Sequence, residues 1–299
     1  MNSVKKQFSI RDLENLSGIK AHTIRIWEKR YNLLSPERTD TNIRRYSTAS
    51  LQKLLNITLL YNAGYRISKI ASLSESEIAA TVREIIARNR LKSPAINAFK
   101  LAMINFDQKL FQHTLSELMI TQPFRKIFWD VFMPFLYEMG MLWQTDTISP
   151  AHEHFITNLI KQKICTETEK LQYQEAFRDD KVFVLYLPEN EIHEIGLLFI
   201  NYELVLKGYK TIYLGQTMPI ENLEGLQKFY DNLYYLSYFT VSPEPDMVDK
   251  YIEKFDQMIN PDGESKLWLL GRQTQHIKYK PVNTEVRIFS AIEDIAESV

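Results

Sequence analysis

Glu191-Ile-His193-Glu-Ile-Gly196 follows the apolar run Val182-Phe-Val-Leu-Tyr-Leu187 and precedes a helix-like segment, Leu197–Lys207. A strand, a short loop carrying a histidine and then a helix open an α/β unit. Ligands of open α/β sheets bind at the carboxyl ends of the strands, where this loop would lie. A histidine held there can ligate a metal, and an acidic residue two positions earlier can orient its other ring nitrogen. Six residues alone are also what a surface loop with a histidine looks like, so the flanking chain has to decide.

Downstream the alternation continues. Strands are expected at 182–187, 210–214, 233–241, 267–270 and 286–289. Helices are expected at 194–207, 220–232, 244–258, weakly at 273–277, and at 291–298. Such alternation predicts a doubly wound parallel sheet over residues 178–299. The chain has neither Gly-x-Gly-x-x-Gly nor Gly-x4-Gly-Lys-Ser/Thr, so nucleotide phosphate cradles are not supported.

Upstream the composition changes. Residues 1–70 hold 13 Lys/Arg against 5 Asp/Glu, a net +8; the rest holds 23 against 32, a net −9. A basic first quarter on an acidic body suggests a nucleic-acid module. Ser9 is a plausible N-cap and Gly18 a turn residue between helices 11–17 and 21–31, a helix-turn-helix whose second helix displays His22, Thr23, Arg25 and Arg30. The stretch 34–47 reads as a β-hairpin wing with Asn42 at the turn. Ser47 then caps a helix over 48–62, with Gly64 beyond it. Thr23-Ile-Arg25-x-Trp27-Glu28-x-Arg30-Tyr31-x-Leu33-Leu34-x-Pro36-x-Arg38, then Arg44-Arg45-Tyr46-Ser47, resembles the MerR-family winged helix. The resemblance spans about residues 7–75. It implies double-stranded promoter DNA as partner, a homo-oligomer, and DNA contacts from His22, Thr23, Arg25, Arg30, Arg38, Arg44, Arg45 and Tyr46.

Between the two ends, Asn89–Pro94 reads as a linker. Helical periodicity then runs through 95–105, 106–118, 121–145 and 149–172, which predicts a four-helix bundle over 79–177. It contains Trp143-x9-Glu153-His154, which is similar to the helical cap of the light-sensing, cobalamin-binding MerR-type repressors (the CarH/LitR-like group). That resemblance implies that Trp143, Glu153 and His154 surround the upper ligand of a cobalamin, adenosyl or methyl. The 178–299 region in turn resembles the cobalamin-binding α/β domain. That family carries Asp-x-His-x-x-Gly, Ser-x-Leu and Gly-Gly; this chain has Glu191-x-His193-x-x-Gly196, Ser237-x-Phe239 and Gly271-Arg272. By the resemblance His193 ligates cobalt, oriented by Glu191. Gly196, Ser237 and Gly271 then line a slot for the cofactor's displaced nucleotide tail. The residue after the motif Trp is Gln144, where the light-sensing group often has histidine.

The whole is therefore expected to be multidomain, α and α/β: a winged helix-turn-helix (1–78), a bundle (79–177) and a cobalamin-binding-like, flavodoxin-like sheet (178–299). The expected function is a cobalamin-controlled transcriptional regulator, not an enzyme. One alternative is a MerR-type regulator whose sensor has lost its cofactor and serves protein interaction. Another is a corrinoid methyl-transfer protein, since the bundle and sheet resemble the cobalamin module of methionine synthase. A single cysteine, Cys165, excludes an intrachain disulfide framework. With no apolar signal core, the cytoplasm is the expected compartment.

Overall fold

The computed structural model describes residues 7–39, 42–88, 92–144, 147–173 and 176–299. Its contacts divide the chain into two compact units, Met1–Leu159 and Ile160–Val299.

In the first unit, β1 (Gln7–Phe8), α1 (Ile10–Ser17), α2 (Ala21–Tyr31), β2 (Glu37–Arg38), β3 (Arg44–Ser47) and α3 (Thr48–Asn62) form a winged helix-turn-helix. Each boundary has a local cause. Ser9 Oγ accepts from Asp12 N while Ser9 N donates to the Asp12 carboxylate, a complete capping box. Gly18 ends α1 at φ 74° and Asn42 turns the wing at φ 61°, both in the left-handed region that Gly and Asn tolerate. Strands β1 and β2 pair antiparallel on either side of β3. Leu13, Leu16, Ile24, Leu51 and Leu55 bury their side chains almost completely beneath these elements.

Helices α4 (Ile67–Ala71) and α5 (Glu75–Arg88) follow, then α6 (Lys92–Asn105), α7 (Gln108–Thr121), α8 (Phe124–Ile127), a π-helical turn Phe128–Phe132, α9 (Met133–Gln144) and α10 (Pro150–Gln172). Of the expected linker, 89–91 lie outside the described residues, while Pro94 sits in the first turn of α6, where a missing N–H costs nothing. Helix α7 starts two residues later than expected because Phe106 takes φ 52° and Asp107 caps Leu110 N. Phe99, Phe111, Phe132 and Phe135 make the helical core, with Phe99 ring centroids 5.0, 5.4 and 6.0 Å from the other three. Each such pair adds about 0.5–1.5 kcal/mol beyond area burial.

The second unit holds a parallel sheet of β4 (Arg178–Pro188), β5 (Tyr209–Met218), β6 (Leu233–Tyr238), β7 (Lys266–Leu270) and β8 (Glu285–Ile288), in the order β5-β4-β6-β7-β8. Helices α11 (Ile195–Leu206) and α13 (Ile292–Ser298) cover one face, and α12 (Val248–Lys254) with a π-helical continuation, Phe255–Ile259, covers the other. The sheet is therefore doubly wound, and the order reverses beside β4, the switch point where ligands bind. The helix expected at 220–232 is absent. Gly225 at φ 86° splits it into two 3₁₀ turns, Ile220–Leu223 and Leu226–Lys228. The weak helix near 273–277 is likewise a 3₁₀ turn, Arg272–His276.

Candidate functional site

On the DNA-binding side, α2 presents His22, Arg25 and Arg30 as exposed side chains, with Thr23 partly so. The wing is tied to this helix by Glu28. Arg44 Nε donates to both its carboxylate oxygens at 3.0 and 3.2 Å, and Tyr46 Oη donates at 3.0 Å. Tyr46 is fully buried. Burial and the neighbouring carboxylate push its hydroxyl pKa far up. Its expected place among the DNA contacts is therefore corrected: it is a strut inside the fold. Arg44 is half of the same strut. Arg38 is exposed and bonds Asn42 across the turn, and Arg45 lies opposite Glu37.

In the same unit, Lys100 of α6 was not singled out from sequence. It is buried, and its Nζ donates to Leu16 O at the end of α1 (3.1 Å) and meets Glu138 at 2.5 Å. A cation at a helix C-terminus satisfies a carbonyl that the helix leaves open. Asn15 Nδ2 donates to Thr147 Oγ1 at 3.0 Å. The helix-turn-helix is thus anchored to the helical core and to the hairpin ahead of α10. In that hairpin Glu153 is partly buried and His154 exposed, while His152 is buried and stacks on Phe106 at 4.8 Å. The side chains of Trp143 and Gln144 lie outside the described residues.

At the carboxyl end of β4 the site is built around one carboxylate. Glu191 is completely buried. Oε1 accepts from the N–H of Ile192 and His193, both at 3.0 Å, and lies 2.6 Å from His193 Nδ1. Oε2 accepts from the N–H of Thr240, Val241 and Ser242 at 3.1, 2.6 and 3.0 Å. Burial pushes this carboxyl's pKa up. The His193 ring and the backbone donors outweigh it and hold the pKa at about 2. A carboxylate that stays ionised can only accept, so Nδ1 carries the proton and the lone pair falls on Nε2. The His193 side chain is half exposed. Ile192 and Val241, whose N–H groups donate to the buried Glu191 carboxylate, are 52% and 54% exposed and leave an apolar rim on the loops that Glu191 joins.

The loop is held from its other side too. Thr217 N donates to Glu191 O at 3.3 Å and Gln216 Nε2 to Ile192 O at 3.0 Å. Glu194 receives Tyr213 Oη at 3.2 Å and Lys161 Nζ at 2.9 Å. Gly196 matters for packing: a Cβ there would meet the Tyr238 ring at 2.9 Å, so only glycine lets α11 approach β6 so closely.

A cobalamin fits these residues on one side only. The cobalt side fits: an oriented imidazole, an apolar rim, and at the neighbouring strand ends two buried polar atoms without a hydrogen-bond partner, Thr240 Oγ1 and Gln273 Oε1. The tail side does not. Ser237 is fully buried and its Oγ donates to Tyr186 O at 2.9 Å. Phe239 is fully buried beside it. A Cβ on Gly271, at φ 100°, would sit 2.3 Å from Phe239 O, so this glycine serves close backbone packing.

Residues 8–77 match the MerR HTH family regulatory protein family, and residues 95–165 match the B12 binding domain family. The chain is 27% identical over 225 residues to the HTH-type transcriptional repressor CarH of Myxococcus xanthus, covering 73% of this chain and 74% of that one. It is 25% identical over 218 residues to the repressor CarA of the same organism, covering 72% and 70%. In fold it is similar to the monomethylamine corrinoid protein of Methanosarcina barkeri, with a TM-score of 0.56 at 12% identity, over 70% of this chain and 98% of that one. The order of parts is thus a MerR-type helix-turn-helix, a helical domain that matches the B12 binding domain family and a parallel sheet folded like that of a corrinoid protein, and the chain is a homologue of the CarH and CarA repressors with their architecture.

Proposed function

We propose that this protein is a transcriptional regulator whose binding to promoter DNA is controlled by a cobalamin ligated through His193. The observation that carries this reading is the Glu191–His193 pair, a buried carboxylate 2.6 Å from Nδ1 that fixes the ring's tautomer and leaves Nε2 as its acceptor nitrogen. Among the described residues no three His, Cys, Asp or Glu side chains form a metal-holding group. A metal at Nε2 would therefore have to bring its other ligands with it, as a corrin does. Covering Ile192 and Val241 with a flat apolar ring would add about 1 kcal/mol for each half-exposed side chain.

When bound, the group would supply a cobalt–carbon bond that light can break. The chain's residues bind, orient and respond. We assign Trp143, Glu153 and His154 to sensing the upper ligand, on the B12-binding match over 95–165. We assign His22, Thr23, Arg25, Arg30, Arg38 and Arg45 to DNA, with Arg44 holding the wing. Domain limits of 1–78, 79–177 and 178–299 and action as a homo-oligomer belong to the same proposal. Control requires only that the ligand bind the DNA-competent and incompetent states unequally. The protein acts by binding and not by catalysis. Among the described residues no helix is long and apolar enough to cross a membrane.

The closed sheet face at Phe239 favours a second reading, a MerR-type regulator with a cofactor-free sensor used for protein interaction. One experiment separates the two. The full chain is mixed with adenosylcobalamin in the dark, separated by gel filtration and its absorption spectrum recorded, alongside His193→Ala. Our reading expects a bound chromophore that His193→Ala loses or returns to the base-on spectrum. An unbound cofactor with the wild-type chain would leave the second reading standing.

A further inference from the structure

The five-stranded sheet ends on β8, which pairs with β7 on one side and, among the described residues, with no strand on the other. An uncovered edge is a row of backbone N–H and C=O groups and a template for another strand. The pairing with β7 fixes which groups face outward. Phe289 N donates to Leu269 O at 2.9 Å. Backbone polar groups alternate in direction along a strand, so Phe289, Arg287 and Glu285 turn theirs toward β7, while Val286 and Ile288 turn theirs outward. The side chains alternate between faces in step. Val286 packs on the core of the α12 face. Glu285 and Arg287 share the opposite face, where Glu285 holds Lys266 at 2.8 Å and Arg287 donates to Ser298 Oγ of α13 at 2.9 Å.

Charges of one sign along an edge repel a second copy, one of the ways in which sheets blunt such edges. Strand β8 instead carries an acid and a base on either side of a valine, Glu285-Val286-Arg287. This order is self-complementary. Laid antiparallel against itself about a two-fold axis through Val286, the strand sets Glu285 of each copy opposite Arg287 of the other, and directly opposite residues share a face. The Glu285 side chain is 62% exposed, so it can accept a guanidinium while it keeps Lys266. On the other face Val286 meets its symmetry mate, and Ile288, 51% exposed, comes opposite Thr284. The same register suits the backbone. Val286 turns its N–H and C=O outward, so the two copies exchange both bonds, as a hydrogen-bonded antiparallel pair does. An axis through Glu285 or Arg287 would oppose like charges, and it would centre on backbone groups that face β7.

We infer that the β8 edge is an interface between two copies of this chain, which join their five-stranded sheets into one by antiparallel pairing about Val286. The inference rests on the homo-oligomer proposed above and gives it a surface; it needs no cofactor. A two-fold contact uses the same patch on both subunits, so this edge closes as a dimer.

The test is the self-association of the full chain by sedimentation equilibrium, with and without adenosylcobalamin in the dark. Val286→Pro is the sharpest variant. It removes an N–H that β7 does not use, and proline is tolerated where the N–H of an edge strand faces solvent. The fold should therefore stay while the dimer loses one backbone hydrogen bond from each copy, and the dissociation constant should rise by about tenfold or more. Arg287→Glu, which opposes like charges twice, should weaken the dimer as well, and adding Glu285→Arg should restore part of the loss. A folded Val286→Pro chain whose dissociation constant stays within about twofold of the wild type would overturn the inference and leave the homo-oligomer standing, since lost hydrogen bonds cost more than that. A wild-type chain that is monomeric under both conditions would remove both. If Val286→Pro does not fold, an unchanged constant for Arg287→Glu overturns the inference in its place.

Discussion

Glu28 and Glu191 each tie a loop to a neighbouring element with a carboxylate, but they draw on different partners. Glu28 holds the wing to the recognition helix through two side chains, Arg44 and Tyr46. Glu191 holds the His193 loop to the segment after β6 through three backbone N–H groups, of Thr240, Val241 and Ser242. Glu28 keeps some contact with solvent, its side chain 13% exposed, while Glu191 has none. A clamp made of side chains is written in the sequence at both ends. A clamp made of backbone is written only at the carboxylate, and the residues opposite are free to vary. Backbone donors are also fixed by the fold, so they hold Glu191, and with it His193, more rigidly than two long side chains hold Glu28.

The largest effect should come from Glu191→Gln. An amide keeps one acceptor and turns a donor toward backbone N–H groups, which should cost about 3 kcal/mol for a buried charge-assisted network. Hydrogen exchange at Thr240, Val241 and Ser242 should accelerate together; unchanged protection there would show that the clamp is not what holds the loop. The same group sets an acid limit. Its pKa in the fold is about 2 against an ordinary value of 4.5, so it contributes stability in full above the ordinary value. That contribution is lost as the pH falls from there through about 2. Acid unfolding of the wild-type chain should be steeper over this window than that of Glu191→Gln; parallel curves would contradict the assignment.

Glu28→Gln should cost less, about 1–2 kcal/mol, because Arg44, which makes two of its three bonds, is partly solvated and can turn to water, although Tyr46 cannot. It should also weaken promoter DNA binding through a loosened wing. Tyr46→Phe should weaken the strut without changing salt dependence, because a buried hydroxyl neutralises no phosphate, whereas Arg25→Ala should flatten the salt slope by about one unit. Smallest of all, Val241→Ala should change stability by less than about 0.5 kcal/mol, since only its N–H serves the clamp. Val241→Pro, which deletes that N–H, should cost clearly more. Equal effects of the two substitutions would collapse the contrast between Glu28 and Glu191.

This contrast also explains what could be read from sequence. The helix-turn-helix was legible because its devices are local: Ser9 with Asp12, Gly18, Asn42 and Ser47 each act within a few positions. The doubly wound parallel sheet followed from alternation alone, and so did the place of the His193 loop after a strand, whereas the order of the strands came only with the structure. The segment 220–232 was misread because its apolar residues, Ile220, Leu223, Leu226 and Phe229, recur every third position, a spacing that an α-helix face shares with the two 3₁₀ turns separated by Gly225. Tyr46 was misread because a tyrosine between arginines and a serine gives no sign of pointing inward. Lys100 and Thr147 were missed because their partners, Leu16 O and Asn15, lie 84 and 132 positions away and leave no periodic trace. For the same reason, no pattern marks the backbone of 240–242 as the other jaw of Glu191.

The central claim is that His193 is the nitrogen beneath a bound cobalt, and electron paramagnetic resonance of the one-electron-reduced cobalt(II) complex tests it most directly. The protein is labelled uniformly with the heavy, spin-one-half isotope of nitrogen, and the cobalamin is left unlabelled. Coupling to His193 Nε2 predicts that each cobalt hyperfine line splits in two. A three-fold splitting from the cofactor's own unlabelled base, or no nitrogen splitting at all, would contradict it.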